Sequence, residues 1–225
     1  MNEGDLYKLC YDTKETSAVS QLHLGPFAEK DAIGIAIIGD YGVGKTALVH
    51  RLCRGQFLTK HKATKSVQRH LVSVRLSNGE RMKMIIYDTA GCKRLQGEYL
   101  YRCKGALIVY DITEPYSFNN VQLHLNEVKR TMPPDTQVLL LGTKCDMTEL
   151  RKVPFATAEL FASAQNLSIM EVSARTDCNV QTAFVELAER IIEKERVDRY
   201  EPLSLETMDQ EIGPMSKLSF FCCFF

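Results

Sequence analysis

Short apolar runs alternate with amphipathic stretches along this chain. The segment 32–38 reads AIGIAII, a run rich in β-branched residues; such runs mark strands buried on both faces of a parallel sheet. Similar runs recur at 84–87, 106–110 and 138–141, with a weaker one at 169–172. The stretches between them have helical spacing. In the last, Val180, Phe184, Leu187 and Ile191 share one face, while Glu186, Glu189, Arg190 and Glu193 lie mostly off it. Residues 70–76 break the alternation. They are followed by SNGE and a second strand-like run from Arg81, and Asn78-Gly79 between two such runs signals a hairpin.

Strands alternating with helices imply right-handed crossovers and a sheet covered on both faces. The pattern predicts an α/β fold: a six-stranded, mostly parallel sheet with one antiparallel edge strand and helices on both faces. Ligands of such sheets bind beyond the carboxyl ends of the strands, and every motif below falls at one of those ends. The last helical pattern fades near Arg199. The expected organisation is a flexible extension over 1–30, one folded domain over 31–197 and a flexible tail over 198–225.

Composition adds mainly exclusions. The 225 residues are 45% hydrophobic and 25% charged, with a formal net charge of zero, so no global field points to nucleic acid or an acidic membrane. No run of about 18 apolar residues suggests a spanning helix. The first thirty residues lack the basic start and apolar core of a secretory signal. Cys10, Cys53, Cys92, Cys103, Cys145 and Cys178 are scattered without CxxC spacing, which favours a reduced, cytosol-facing protein. His23, His50, His61, His70 and His124 show no metal-ligand spacing, and Met82 and Met84 read as strand packing. The N-terminal extension is either a disordered binding segment or without a role.

Directly after the first strand comes GDYGVGKT, which fits GxxxxGK[ST]. Gly39, Asp40, Tyr41, Gly42, Val43 and Gly44 would form a loop whose inward N–H groups cradle anionic oxygens, helped by the N-terminus of the helix entered through Ala47. Lys45 would neutralise the β- and γ-phosphates, and Thr46 would offer its hydroxyl to Mg²⁺. The plain alternative is a Gly-rich turn joining a strand to a helix. By composition the pattern arises in roughly one chain in a hundred of this length, and the flanking strand and the helical KTALVHRLC lower that further. DTAG follows about forty residues on, at the end of the third strand. Asp88 is placed to hold Mg²⁺, through water, and Gly91 to give its N–H to the γ-phosphate. After the fifth strand comes LLGTKCD, and after the sixth, EVSART.

The order GDYGVGKT, DTAG, GTKCD, SAR resembles the Ras superfamily of small GTPases, a P-loop G domain, over residues 31–196. YDITEPYSFNNV and CCFF resemble its Rab branch. The resemblance implies that Asp146 accepts hydrogen bonds from the guanine ring nitrogens, selecting GTP over ATP because buried acceptors would go unpaired with adenine. It implies that Lys144 lays its stem along the purine and that Ala174, between Ser173 and Arg175, gives a backbone N–H to the guanine oxygen. Phe57, twelve positions after Lys45, falls where the family stacks an aromatic edge on the base. Thr64, nineteen positions after Lys45, matches the threonine that senses Mg²⁺ and the γ-phosphate. Thr143 replaces the Asn of the commoner NKxD, as in the Rho branch, and Arg175 replaces the Lys of SAK; both are expected to leave guanine binding intact.

Three departures surround the γ-phosphate. Cys92 stands where the family carries a water-orienting Gln, and a neutral thiol is a weak donor and acceptor. Beside it Lys93 and Arg94 could favour a thiolate, but that anion would repel phosphate. Tyr41 replaces a small residue; it either crowds an activating protein's arginine finger or points to solvent. After Thr64 the chain reads KSVQR, and Lys60, Lys62, Lys65 and Arg69 make the first switch unusually positive. Slow or activator-dependent hydrolysis is expected, unless another residue or a partner supplies the lost function.

The SFFCCFF stretch places Cys222 and Cys223 where prenyl acceptors belong, with geranylgeranyl expected. No polybasic patch accompanies them, so two lipid chains would carry the attachment; the alternative is an aromatic cluster docking on a protein. The resemblance implies GTP/GDP and Mg²⁺ as ligands and effectors bound through both switches. It also implies an exchange factor, a possible activating protein, a prenyl-transfer escort and a GDP-dissociation inhibitor, with no nucleic acid partner. The expected location is the cytoplasmic face of an intracellular or plasma membrane, with a cytosolic pool. The preferred function is a Rab-like switch in vesicle trafficking. The alternatives are a GTP-loaded, non-hydrolysing scaffold and, disfavoured by GTKCD, an ATP-using phosphotransferase.

Overall fold

The computed structural model describes residues 32–57, 64, 66–91, 95 and 97–206, with backbone alone over 200–206. Cys92, Lys93, Arg94, Lys60, Lys62, Lys65, His23, His61, Cys10, Cys222 and Cys223 lie outside the described residues. The chain divides into two compact units after Ile191.

The first unit holds a sheet of six strands: β1 (Ile33–Gly39), β2 (Gln68–Arg75), β3 (Arg81–Asp88), β4 (Cys103–Asp111), β5 (Gln137–Thr143) and β6 (Ser168–Val172). Their order is β2-β3-β1-β4-β5-β6. The β2–β3 pair is antiparallel and every other pairing is parallel, as the apolar runs predict. The hairpin closes through a three-residue loop: Leu76 N–H donates to Glu80 O at 2.8 Å and Gly79 N–H to Leu76 O at 2.9 Å. Gly79 sits at φ +88°, which a side chain would resist.

The helices are α1 (Lys45–Arg54), α2 (Pro115–Asn119), α3 (Val121–Thr131), α4 (Phe155–Ala164) and α5 (Val180–Glu206). On one face of the sheet, Ala36, Ile38, Ala106, Ile108, Tyr110 and Leu140 pack with Val121, Leu125 and Val128 of α3 and Ala158 and Ala162 of α4. The two-residue period of a strand sends Ile35, Ile37, Leu107 and Leu139 to the other face. All four are fully buried, as are Phe184 and Leu187 of α5, with Leu48 and Val49 of α1 no less so. There α5 touches β4 closely: a Cβ at Gly105 would lie 2.9 Å from Ile191 Cδ1 and 3.0 Å from Leu187 Cδ2.

In the second unit α5 continues from Ile192 to Glu206, beyond Arg199, where apolar spacing fades. Lys194 pairs with Asp198 at 2.7 Å there, one turn apart, so side-chain pairing supports the exposed helix where burial does not. Among the described residues no helix is long and apolar enough to cross a membrane.

Phe184 is fully enclosed. Phe184→Ala is expected to lower stability by about 3–5 kcal/mol, read as a reduced urea midpoint with unchanged slope.

Candidate nucleotide site

Strand ends converge on one edge: Gly39 closes β1, Asp88 β3, Thr143 β5 and Val172 β6. The phosphate loop bridges β1 to α1 through Gly42 at φ +80° and Gly44 at φ +102°. Gly44 caps α1 without a side chain, and the first turn carries no carboxylate. The helix therefore presents its N–H groups and the positive end of its dipole undiminished. Lys45 is buried; its Nζ donates to Gly39 O at 2.8 Å and Asp40 O at 2.7 Å, which holds the ammonium inside the loop.

Three segments meet at the Thr46 hydroxyl. It donates to Asp88 Oδ2 at 2.6 Å and lies 2.8 Å from Thr64 Oγ1. Two hydroxyls and a carboxylate form an all-oxygen set beside a phosphate loop, the donor chemistry suited to Mg²⁺. Gly91 follows closely. At φ +75°, a Cβ on it would fall 2.7 Å from Tyr41 N, so the start of the second switch lies against the phosphate loop backbone. The Tyr41 side chain is 70% exposed, the solvent-facing one of its two expected orientations.

The loop is braced from beneath. Asn120 Nδ2 donates to Asp40 Oδ2 at 2.6 Å, and buried His124 Nε2 lies 2.8 Å from Asp40 Oδ1. Thr143 Oγ1 is 2.6 Å from Val43 O and 2.9 Å from Tyr110 O. The residue standing in for the family's Asn thus ties the phosphate loop to β4.

The loops after β5 and β6 form a second cluster. Lys144 adopts the left-handed region at φ +61°, and its Nζ pairs with Asp111 Oδ2 at 2.5 Å. Ser173 Oγ donates to Asp146 Oδ1 at 2.6 Å and accepts from Thr176 N–H at 3.1 Å, joining GTKCD to SART. Arg51 of α1 reaches the same loop: Nε donates to Ala174 O at 2.7 Å, Nη2 to Arg175 O at 2.9 Å and Nη1 to Gly55 O at 2.6 Å. Phe57 lies just past Gly55 and is 36% exposed; the Arg175 side chain is also exposed.

A sequence profile of the Ras family matches residues 34–193, most of the chain. The chain belongs to the Ras family. It is 36% identical over 163 residues to the Ras-related protein RABD2a of Arabidopsis thaliana, covering 71% of this chain and 80% of that one. It is 37% identical over 160 residues to the GTP-binding protein YPTM2 of Zea mays, covering 70% and 78%. To the Ras-related protein Rab-13 of Rattus norvegicus it is 36% identical over 163 residues, covering 71% and 80%. It is thus a Ras-family small GTPase resembling Rab proteins, and the family implies GTP/GDP binding with Mg²⁺ and GTP hydrolysis.

In this Ras-family chain the structure gathers Lys45, Thr46, Thr64, Asp88 and Gly91 at one end of the edge, and Lys144, Asp146, Ser173 and Ala174 at the other. Arg51, Asp111 and Asn120 were not singled out from sequence, and His124 was noted only as lacking metal-ligand spacing. Arg51 and His124 lie in helices, Asp111 ends β4 and Asn120 lies in the turn before α3, and only the fold shows their partners. Burial pushes the Cys53 thiol up to about 11 and that of Cys103 up to about 12. Cys145 is pushed up to about 12 by burial first, then by the charge of Cys178 and a hydrogen bond to it. These three thiols are therefore neutral and poor nucleophiles.

Thr143→Val keeps the volume but removes the one hydroxyl proton that Val43 O and Tyr110 O share, at 2.6 and 2.9 Å. It should cost about 1–3 kcal/mol, measured by chemical denaturation. Keeping the Cys103 thiol neutral favours the folded state below the ordinary thiol pKa, a contribution lost as pH rises toward about 12. Peptide mapping after alkylation at pH 8 should accordingly find exposed Cys178 modified and buried Cys103 intact.

Proposed function

We propose that this chain is a Rab-like guanine-nucleotide switch of vesicle trafficking whose GTP hydrolysis is slow or activator-dependent. The observation that carries the reading is the meeting of Thr46, Thr64 and Asp88 at one hydroxyl, beside a lysine already seated in the phosphate loop. The N–H groups of the loop and the start of α1, with Lys45, would bind the phosphates. Thr46 and Thr64 would hold Mg²⁺ directly, and Asp88 through water. Bound there, Mg²⁺ would neutralise charge developing on the phosphate oxygens. Asp146 would accept from the guanine ring nitrogens, Ala174 N–H would donate to the guanine oxygen, and Lys144 would lie along the purine with its head fixed by Asp111. Phe57 would border the base.

Thr64 and the loop after Gly91 would be ordered by the γ-phosphate and released on its loss, changing the surface offered to effectors. Hydrolysis needs an oriented water, and Cys92 offers a thiol in place of an amide. That substitution favours a second reading, a GTP-loaded scaffold that recruits effectors without turnover; Tyr41, with its ring turned to solvent, adds nothing to it. Exchange factor, activating protein, prenyl-transfer escort and GDP-dissociation inhibitor would be the regulators. Cys222 and Cys223 would attach the chain by geranylgeranyl groups to the cytoplasmic face of a membrane.

Chromatography of the co-purified nucleotide separates the two readings: GDP is expected for a switch, GTP for the scaffold, and no guanine nucleotide affinity would overturn both. In single-turnover assays Cys92→Gln should raise the hydrolysis rate on the order of 10²-fold, the contribution of one positioned hydrogen-bonding group. A wild-type rate ordinary for the family, unchanged by that substitution, would remove the impairment. Fractionation of a Cys222→Ser, Cys223→Ser variant should move the protein from membranes to the soluble pool.

A further inference from the structure

We propose that Arg51 is the positioning residue for guanine recognition, holding the base-reading turn in register with the phosphate loop. The proposal rests on the reading that Ala174 N–H meets the guanine oxygen. A guanidinium is planar, with donors fixed in a fork. Here one edge takes two successive carbonyls, Ala174 O from Nε and Arg175 O from Nη2, while Nη1 takes Gly55 O at the end of α1. Hydrogen bonds from a charged donor are about twice as strong as neutral ones.

Ala174 is clamped from both sides. Ser173, before it, is buried and donates from Oγ to Asp146, while its N–H donates to Cys178 O at 2.9 Å. Arg51 fixes the carbonyls of Ala174 itself and of Arg175 after it. A rotation of the turn that carried the Ala174 N–H off the base would have to break one of these sets. The other end of the brace is rigid as well, because α1 buries Lys45, Leu48 and Val49. One ten-residue helix therefore carries the phosphate-binding lysine in its first turn and the clamp on the base-reading turn in its last.

A bracing arginine that merely supports the fold would loosen every ligand alike. A positioning residue for the guanine oxygen would not. The test is nucleotide release from the full chain, wild type against Arg51→Ala and Arg51→Lys, using GDP and 2-aminopurine riboside diphosphate, which keeps the 2-amino group and lacks the 6-oxygen together with the N1 proton, a loss common to wild type and variants. Arg51→Ala should speed GDP release about tenfold, the loss of about 1.4 kcal/mol, and leave release of the analogue within about twofold. Arg51→Lys should behave like Arg51→Ala, because an ammonium lacks the fork; it decides the matter by the same ratio if the alanine variant does not fold. Acceleration of both ligands by one factor, or of neither, overturns the proposal while leaving the nucleotide switch standing. Failure of the wild type to bind either ligand removes both.

Discussion

Where a parallel sheet stops, its backbone groups must find new partners, and that requirement shapes this edge of the molecule. Hydroxyls take over as the ladder runs out. Thr89 Oγ1 donates to Ile37 O at 2.9 Å, Thr143 Oγ1 reaches Val43 O and Tyr110 O, and Ser117 Oγ accepts from Asp111 N–H at 3.0 Å. Each small side chain gives a backbone group at this edge a partner within hydrogen-bond distance. The loops stay close to the sheet yet free of its pleat, and their remaining N–H groups can turn toward a ligand. A crevice at the carboxyl edge is thus a product of hydrogen-bond accounting as much as of topology.

The motif residues differ in how far the fold describes them. Lys45, Thr46, Asp88 and Asp146 are on or next to regular elements and are held by side-chain or backbone contacts. Position 92, where the family's amide is replaced by a thiol, lies outside the described residues.

How much of this was legible beforehand is a matter of range. The strands and the hairpin could be read because burial on two faces enforces β-branched runs and Asn78-Gly79 marks the turn. The family could be read because its motifs fix residue type and local spacing together. Arg51, Asn120 and His124 could not, since their partners lie 123, 80 and 84 positions away in sequence, and neither residue type nor local spacing announces a contact at that distance. The reach of α5 to Glu206 was equally hidden. A solvated helix needs no apolar stripe, so the pattern that reveals a packed helix disappears while the helix goes on.

Helix α3 ties Asp40 of the phosphate loop to Leu95, far along the chain. From the Asn120 that precedes it and from His124, it grips both carboxylate oxygens of Asp40; one turn further, Glu127 Oε1 accepts from Leu95 N–H at 3.0 Å. Asp40 of the phosphate loop and Leu95 are therefore gauged against a single rod, and displacing that rod would carry the two together.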